Sequence, residues 1–145
     1  MEYYRGTETI LVVDDEESLR TVVVDLLGQL GYRILSAGNG QDALKLAAEY
    51  PGKIDLLLSD VVMEPLPGPA LAETLTSLRP DMKVVFISGY TDGALAAPDG
   101  VLKPGTILVN KPFTFKILSA KLREVLGAPV APGNNHISIN AEKTS

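Results

Sequence analysis

Five short apolar stretches, alternating with helical patterns, constrain this chain more than any other feature. They are ILVV (10–13), RILSA (33–37), IDLLLS (54–59), KVVFIS (83–88) and TILVN (106–110), all rich in Ile, Leu or Val. Several are apolar at consecutive positions, as a strand must be when helices cover both its faces in a parallel sheet. Between them the period changes. From Glu16 to Leu30 the apolar residues Leu19, Val22, Val23, Leu26, Leu27 and Leu30 fall on one helix face, and Gly31 stops the helix. Asn39 is placed to cap a second helix with Ala43, Leu44, Leu46 and Ala47, and Pro69 suits the first turn of a third with Leu71, Ala72, Leu75 and Leu78. Thr114 caps a last helix whose apolar face is Ile117, Leu118, Leu122, Val125 and Leu126. Pro98, Gly100, Pro104 and Gly105 leave only residues 91–97 for a fourth, which is expected to be short or irregular. Such alternation implies right-handed crossovers and an α/β fold, a doubly wound five-stranded parallel sheet.

At 145 residues and 46% hydrophobic, the chain has the size of one domain with a real core. Residues 8–127 hold the periodic segments, with 1–7 as an N-terminal extension. Residues 128–145 are read as a flexible C-terminal tail, in which Ile137 and Ile139 stand without a helical period. A net charge of -5 without a Lys/Arg cluster argues against nucleic acid as a partner. The absence of cysteine removes disulfides and thiolate metal sites, and fits a cytoplasmic setting. No apolar run approaches the ~18 residues of a membrane span, so no membrane is expected as a partner.

Parallel sheets of this kind hold their sites at the carboxyl ends of the strands. There the sequence places Asp14 and Asp15, Asp60, Ser88 and Lys111, all on one predicted edge. Carboxylates gathered at about 4 Å repel by roughly 4 kcal/mol per pair at an effective dielectric near 20. One lysine offsets one charge, and a divalent cation would neutralise the remaining two. With oxygen ligands alone the site selects Mg2+, with Mn2+ as an alternative. A carboxylate can also be a nucleophile that carries a phosphoryl group as an acyl phosphate, assisted by metal and lysine, with the Ser88 hydroxyl completing the cradle. Asp60 is the candidate acceptor because it stands alone at the end of an interior strand, whereas the adjacent Asp14 and Asp15 suit metal and water.

LVVDDEE, LLLSDVVM, FISGY and NKPF, in this order over residues 8–127, resemble the receiver domain of two-component response regulators. The resemblance implies a flavodoxin-like (βα)5 fold with strand order 2-1-3-4-5. It implies Asp60 as phosphoacceptor, and Asp14, Asp15 and Asp60 with the Val62 carbonyl as Mg2+ ligands, Asp15 the more direct of the acidic pair. It further implies Lys111 as the phosphate-pairing lysine, Ser88 as the hydroxyl switch, and a cis peptide between Lys111 and Pro112. A histidine kinase or histidine phosphotransfer protein would be the partner, with the chain a monomer or weak dimer. GPALAETL and SGYTDGAL narrow the resemblance to receivers of hybrid histidine kinases or their free-standing relatives.

Departures from the family pattern are informative. Leu108 stands where many receivers carry an aromatic switch residue, which leaves Tyr90 as a candidate for part of that signal. Val62 and Tyr90 offer no amide or carboxylate to orient hydrolytic water, so a long-lived phosphoryl group is expected. Pro65, Pro67 and Pro69 stiffen the loop after Asp60, and Glu64 before Pro65 is expected in solvent. Residues 89–110 are the expected mobile surface. Glu16 and Glu17 complement a helix dipole, Phe113 is expected in the core, Lys103 and Lys116 in solvent, and His136 without chemistry. Two other functions compete with the signalling receiver. A phosphorylation-independent interaction module has no need of the repelling acids, and a nucleotide-binding loop would not read DDEES at 14–18.

Overall fold

The computed structural model describes residues 2–89, 107–127 and 136–138. Its elements in chain order are β1 (Glu2–Tyr4), β2 (Thr9–Val13), α1 (Glu17–Gln29), β3 (Arg33–Ala37), α2 (Gly40–Glu49), β4 (Leu56–Asp60), α3 (Gly68–Leu78), β5 (Lys83–Ser88), β6 (Ile107–Asn110), α4 (Phe115–Leu126) and β7 (His136–Ser138). Five strands make one parallel sheet in the order β3-β2-β4-β5-β6. Counted from β2 as the first strand of that sheet, this is the expected order 2-1-3-4-5. The expected short helix at 91–97, together with Tyr90 and Lys103, lies outside the described residues.

The two central strands explain the continuous apolar runs, since every residue of β2 and β4 is buried. Alternate residues serve opposite layers. Ile10, Val12, Leu56 and Leu58 pack with α1 and α4, while Leu11, Val13 and Leu57 pack with α2 and α3. The edge strand β3 differs, with Arg33 and Ser36 exposed. Phe113 packs against the α1–α4 layer, as expected.

Local chemistry sets the helix ends as the residues predict. The Asn39 side chain accepts from the Asp42 N–H at 2.8 Å, and Thr114 from the Ile117 N–H at 3.1 Å. Pro69 sits in the first turn of α3. Gly31 follows α1 with φ 106°, a left-handed conformation that favours glycine. The apolar stripes are wider than the arcs that make contact. Val22, Leu78 and Ile117, expected on buried faces, are 44%, 66% and 55% exposed. Successive helical residues turn by about 100°, so Val22 beside the buried Val23 is carried off the contact arc.

The reading of 128–145 as a flexible tail is corrected at three residues, which form a strand with part of the N-terminal extension. Glu2–Tyr4 pairs antiparallel with His136–Ser138, with Tyr3 opposite Ile137. Tyr and Ile are good strand formers, and a three-residue match is too short to announce itself as a period.

Arg123, near the end of α4, organises the neighbouring surface. It donates from Nη2 to Glu8 Oε2 at 2.6 Å and from Nη1 to Glu8 Oε1 at 3.2 Å, a bidentate pair. It also donates to the carbonyls of Arg5 (3.0 Å) and Gly127 (2.9 Å), so one side chain ties the segment before β2 to the exit of α4. Burial pushes the Glu8 carboxyl up, but the Arg123 hydrogen bond, its own backbone N–H and the Arg123 charge outweigh this and hold it below its ordinary value. The Tyr32 hydroxyl is buried beside the pair, and burial raises it to about 12.

Candidate functional site

Three of the sheet's strands converge on an acidic edge. Asp14 follows β2, Asp60 ends β4, and Lys111 follows β6, so each leaves the sheet on the same side. Asp14, Asp15 and Asp60 each offer a carboxylate oxygen within 4.8 Å of the others. Asp14 and Asp60 are buried and Asp15 is exposed, which opens the trio to solvent on one side. Lys111 Nζ lies 3.7 Å from Asp60 Oδ2. Main-chain bonds beyond the strands hold this edge together: Asp14 N–H to the Ala37 carbonyl at 3.3 Å, Val61 to Ile87 at 3.1 Å, and Lys111 to Ser88 at 2.9 Å. Ser88 stands one residue past Ile87, the register partner of Asp60, and its hydroxyl donates to the Gly89 carbonyl at 2.9 Å.

The electrostatics of Asp14 are distinctive. Burial is the largest influence and pushes its carboxyl up. The Glu16 N–H and Lys111 pull it down, and the charges of Asp15 and Glu16 push it up again, leaving it above its ordinary value. Its Oδ1 accepts the Glu16 N–H at 2.9 Å. Its Oδ2 is buried without a hydrogen-bond partner among the described residues. A buried carboxylate oxygen left in this state beside two more acids is the donor set a hard divalent cation requires, so the residues fit such an ion.

The remaining predicted positions are placed as follows. Val62 lies on the loop two residues beyond Asp60 and is 37% exposed. Leu108 is half-buried on β6 and packs on the α2–α3 side of the sheet. Glu64 is exposed and outside the acid trio, as expected of a solvated residue. Lys111–Pro112 is cis, as expected, and so is Glu64–Pro65, which the sequence reading did not include.

Three supporting residues were not singled out from sequence. A Cβ on Gly68 would lie 2.1 Å from the Asp60 carbonyl oxygen, so α3 starts in direct backbone contact with Asp60. The buried Ser59 hydroxyl donates to that same carbonyl at 2.9 Å. Arg20, in α1, donates from Nη1 to the Asp14 carbonyl at 2.6 Å. The glycine just before Pro69 at the helix start was a usable signal for the first of these; the other two depend on tertiary proximity.

Sheet order and site together define a doubly wound, flavodoxin-like α/β domain with an acidic centre at its carboxyl edge. The family model of the response regulator receiver domain matches residues 10–123, and the chain belongs to that family. It is therefore a receiver domain of two-component signalling. The chain is 37% identical over 122 residues to the sensor kinase CckA of Brucella abortus, a match covering 83% of this chain and 13% of CckA. It is 32% identical over 117 residues to the response regulator receiver protein CpdR of the same organism, covering 81% of this chain and 95% of CpdR. Among solved structures, the receiver domain of the hybrid histidine kinase CckA superposes with a TM-score of 0.69 at 35% identity, covering 82% of this chain and 99% of that one. The response regulator TrrA of Thermotoga maritima, in complex with Mg2+-BeF, gives 0.67 at 28% identity, covering 81% and 98%. The likeness to hybrid-kinase receivers read from the motifs is thus matched. No described helix is long and apolar enough to cross a membrane.

Proposed function

We propose that Asp60 is the phosphoacceptor, taking a phosphoryl group from the phosphohistidine of a histidine kinase or histidine phosphotransfer protein. A carboxylate oxygen of Asp60 forms the new P–O bond as the P–N bond to the imidazole breaks, and the leaving imidazole keeps the electron pair. The reading is carried by one arrangement: an acid trio within 4.8 Å, with Lys111 Nζ 3.7 Å from Asp60 Oδ2. Asp14, Asp15, Asp60 and the Val62 carbonyl would hold Mg2+, with Mn2+ as an alternative. When bound, the cation would supply charge neutralisation at the phosphoryl oxygens. Lys111 pairs with the incoming group, and its single positive charge replaces solvent at the Asp60 side of the site. Ser88 turns its hydroxyl from the Gly89 carbonyl to a phosphoryl oxygen, which makes it the switch residue. In this way the domain assists its own phosphorylation and dephosphorylation.

Phosphorylation then biases two conformations, and output passes by protein contact or onward transfer. The exposed Val62 offers no group to orient water, which supports a phosphoryl lifetime longer than minutes at neutral pH. The deciding experiment is incubation with a small-molecule phosphodonor and Mg2+, read by intact mass. The wild type gains one phosphoryl group and Asp60→Ala gains none. An unmodified wild type would return the chain to the class of phosphorylation-independent interaction modules.

A further inference from the structure

We infer that Arg20 is a positioning residue for the cation site, acting through the main chain of Asp14. The inference rests on the proposed role of Asp14, Asp15 and Asp60 as Mg2+ ligands. Its basis is that each polar group of Asp14 save one has a partner. The N–H donates to the Ala37 carbonyl at 3.3 Å, Oδ1 accepts from Glu16 at 2.9 Å, and the carbonyl accepts from Arg20 Nη1 at 2.6 Å. Among the described residues Oδ2 alone is left without a hydrogen-bond partner, and it is buried, open to an external positive charge. Three anchors, from β3, from the residue that caps α1 and from α1 itself, thus fix the residue and leave its fourth polar group unsatisfied. The Arg20 bond is the shortest of the three, as a charge-assisted donor makes it.

The seat of the guanidinium is also built. Gly38 has no side chain, and a Cβ there would fall 3.1 Å from Arg20 Nη1, tighter than an ordinary contact. Arg20 and Gly38 share the wall of an open cavity of about 320 Å³ with Asp42, Lys45 and Glu49. Because that cavity opens to solvent, truncating Arg20 enlarges a wet space and leaves no sealed void, so variants should fold. Partners that orient a metal ligand through a second contact commonly govern metal affinity by about 10–100-fold.

Charge and anchoring make opposite predictions, and this separates them. Acting only as a cation near the site, Arg20 would repel Mg2+: Arg20→Met would tighten binding and Arg20→Lys would leave it unchanged. Acting as an anchor, Arg20→Met weakens Mg2+ by about tenfold, Arg20→Lys weakens it less, and Gly38→Ala, which crowds the guanidinium without removing it, weakens it least. The measurement is Mg2+ titration by calorimetry and by amide NMR shifts of Asp14 and Gly38, with thermal unfolding in EDTA alongside. The half-saturating Mg2+ for phosphorylation should rise by a larger factor than the maximal rate falls. Unchanged or tighter Mg2+ binding in Arg20→Met overturns the inference, as does a loss confined to EDTA unfolding. Wild type that binds Mg2+ while all three variants match it sinks this inference alone; wild type that binds none sinks it together with the proposed function.

Discussion

At the carboxyl end of the sheet three carboxylates gather while Lys111 pairs with Asp60, and a buried oxygen of Asp14 has no hydrogen-bond partner among the described residues. At the amino end the Glu8 carboxylate is held bidentately by Arg123, which donates two further N–H groups to carbonyls. The two carboxyls are pushed in opposite directions, Asp14 above its ordinary value and Glu8 below. The difference lies in completeness. A charge with all its partners in the chain is a fastener, while an acid cluster short of positive charge holds its free energy in reserve for something that arrives from solution.

That contrast can be broken from either end. The largest expected effect is at the fastener. Arg123→Met leaves Glu8 half-buried without its cation, and should cost about 2–3 kcal/mol in urea unfolding, below the ~3–5 kcal/mol of a fully buried pair because the Glu8 side chain is 24% exposed. At the other end the sign reverses. Asp14→Asn removes a repelling charge and should raise stability in EDTA by about 1 kcal/mol while weakening Mg2+ binding. A destabilised Asn variant would mean that the carboxylate is already compensated.

The pH dependence follows from Glu8. Its carboxyl is lower in the folded state, so the unfolded chain binds more protons between the two values and stability falls as the pH drops. The contribution is complete above the ordinary value of 4.5 and disappears as pH falls through the depressed folded value. Unfolding midpoints of wild type and Glu8→Gln should therefore converge on acidification below that point. Parallel curves would remove Glu8 from the account. The smallest effect belongs to Glu64, which is exposed and apart from the trio. Glu64→Gln should leave the Mg2+ dissociation constant within about twofold, since an exposed charge is screened.

What sequence could reveal follows the range of the interactions involved. The succession of strands and helices, the helix caps and the positions of Asp14, Asp60, Ser88 and Lys111 depend on periodicity and on residues at strand ends, and a linear reading captures both; the strand order came with the family resemblance. Glu8 and Arg123 are 115 residues apart, on segments with no shared pattern, and nothing in either one's neighbours announces the other. Arg20 looks like any polar residue on the flank of an amphipathic helix until the fold brings the Asp14 carbonyl beneath it. Val22 and Ile117 erred the other way, because an apolar residue at helical spacing cannot say how wide the contact arc will be. The pairing of Tyr3 with Ile137 was missed for want of length, three residues being too few for alternation to register.

Gly68 has a mechanical consequence. Since its missing Cβ would fall 2.1 Å from the Asp60 carbonyl oxygen, no compressible side chain stands between the end of β4 and the start of α3. A helix seated in this way is a pushrod with no slack. A shift in the Asp60 main chain would press directly on the first turn of α3, the helix that carries Leu71 and Leu75 into the core.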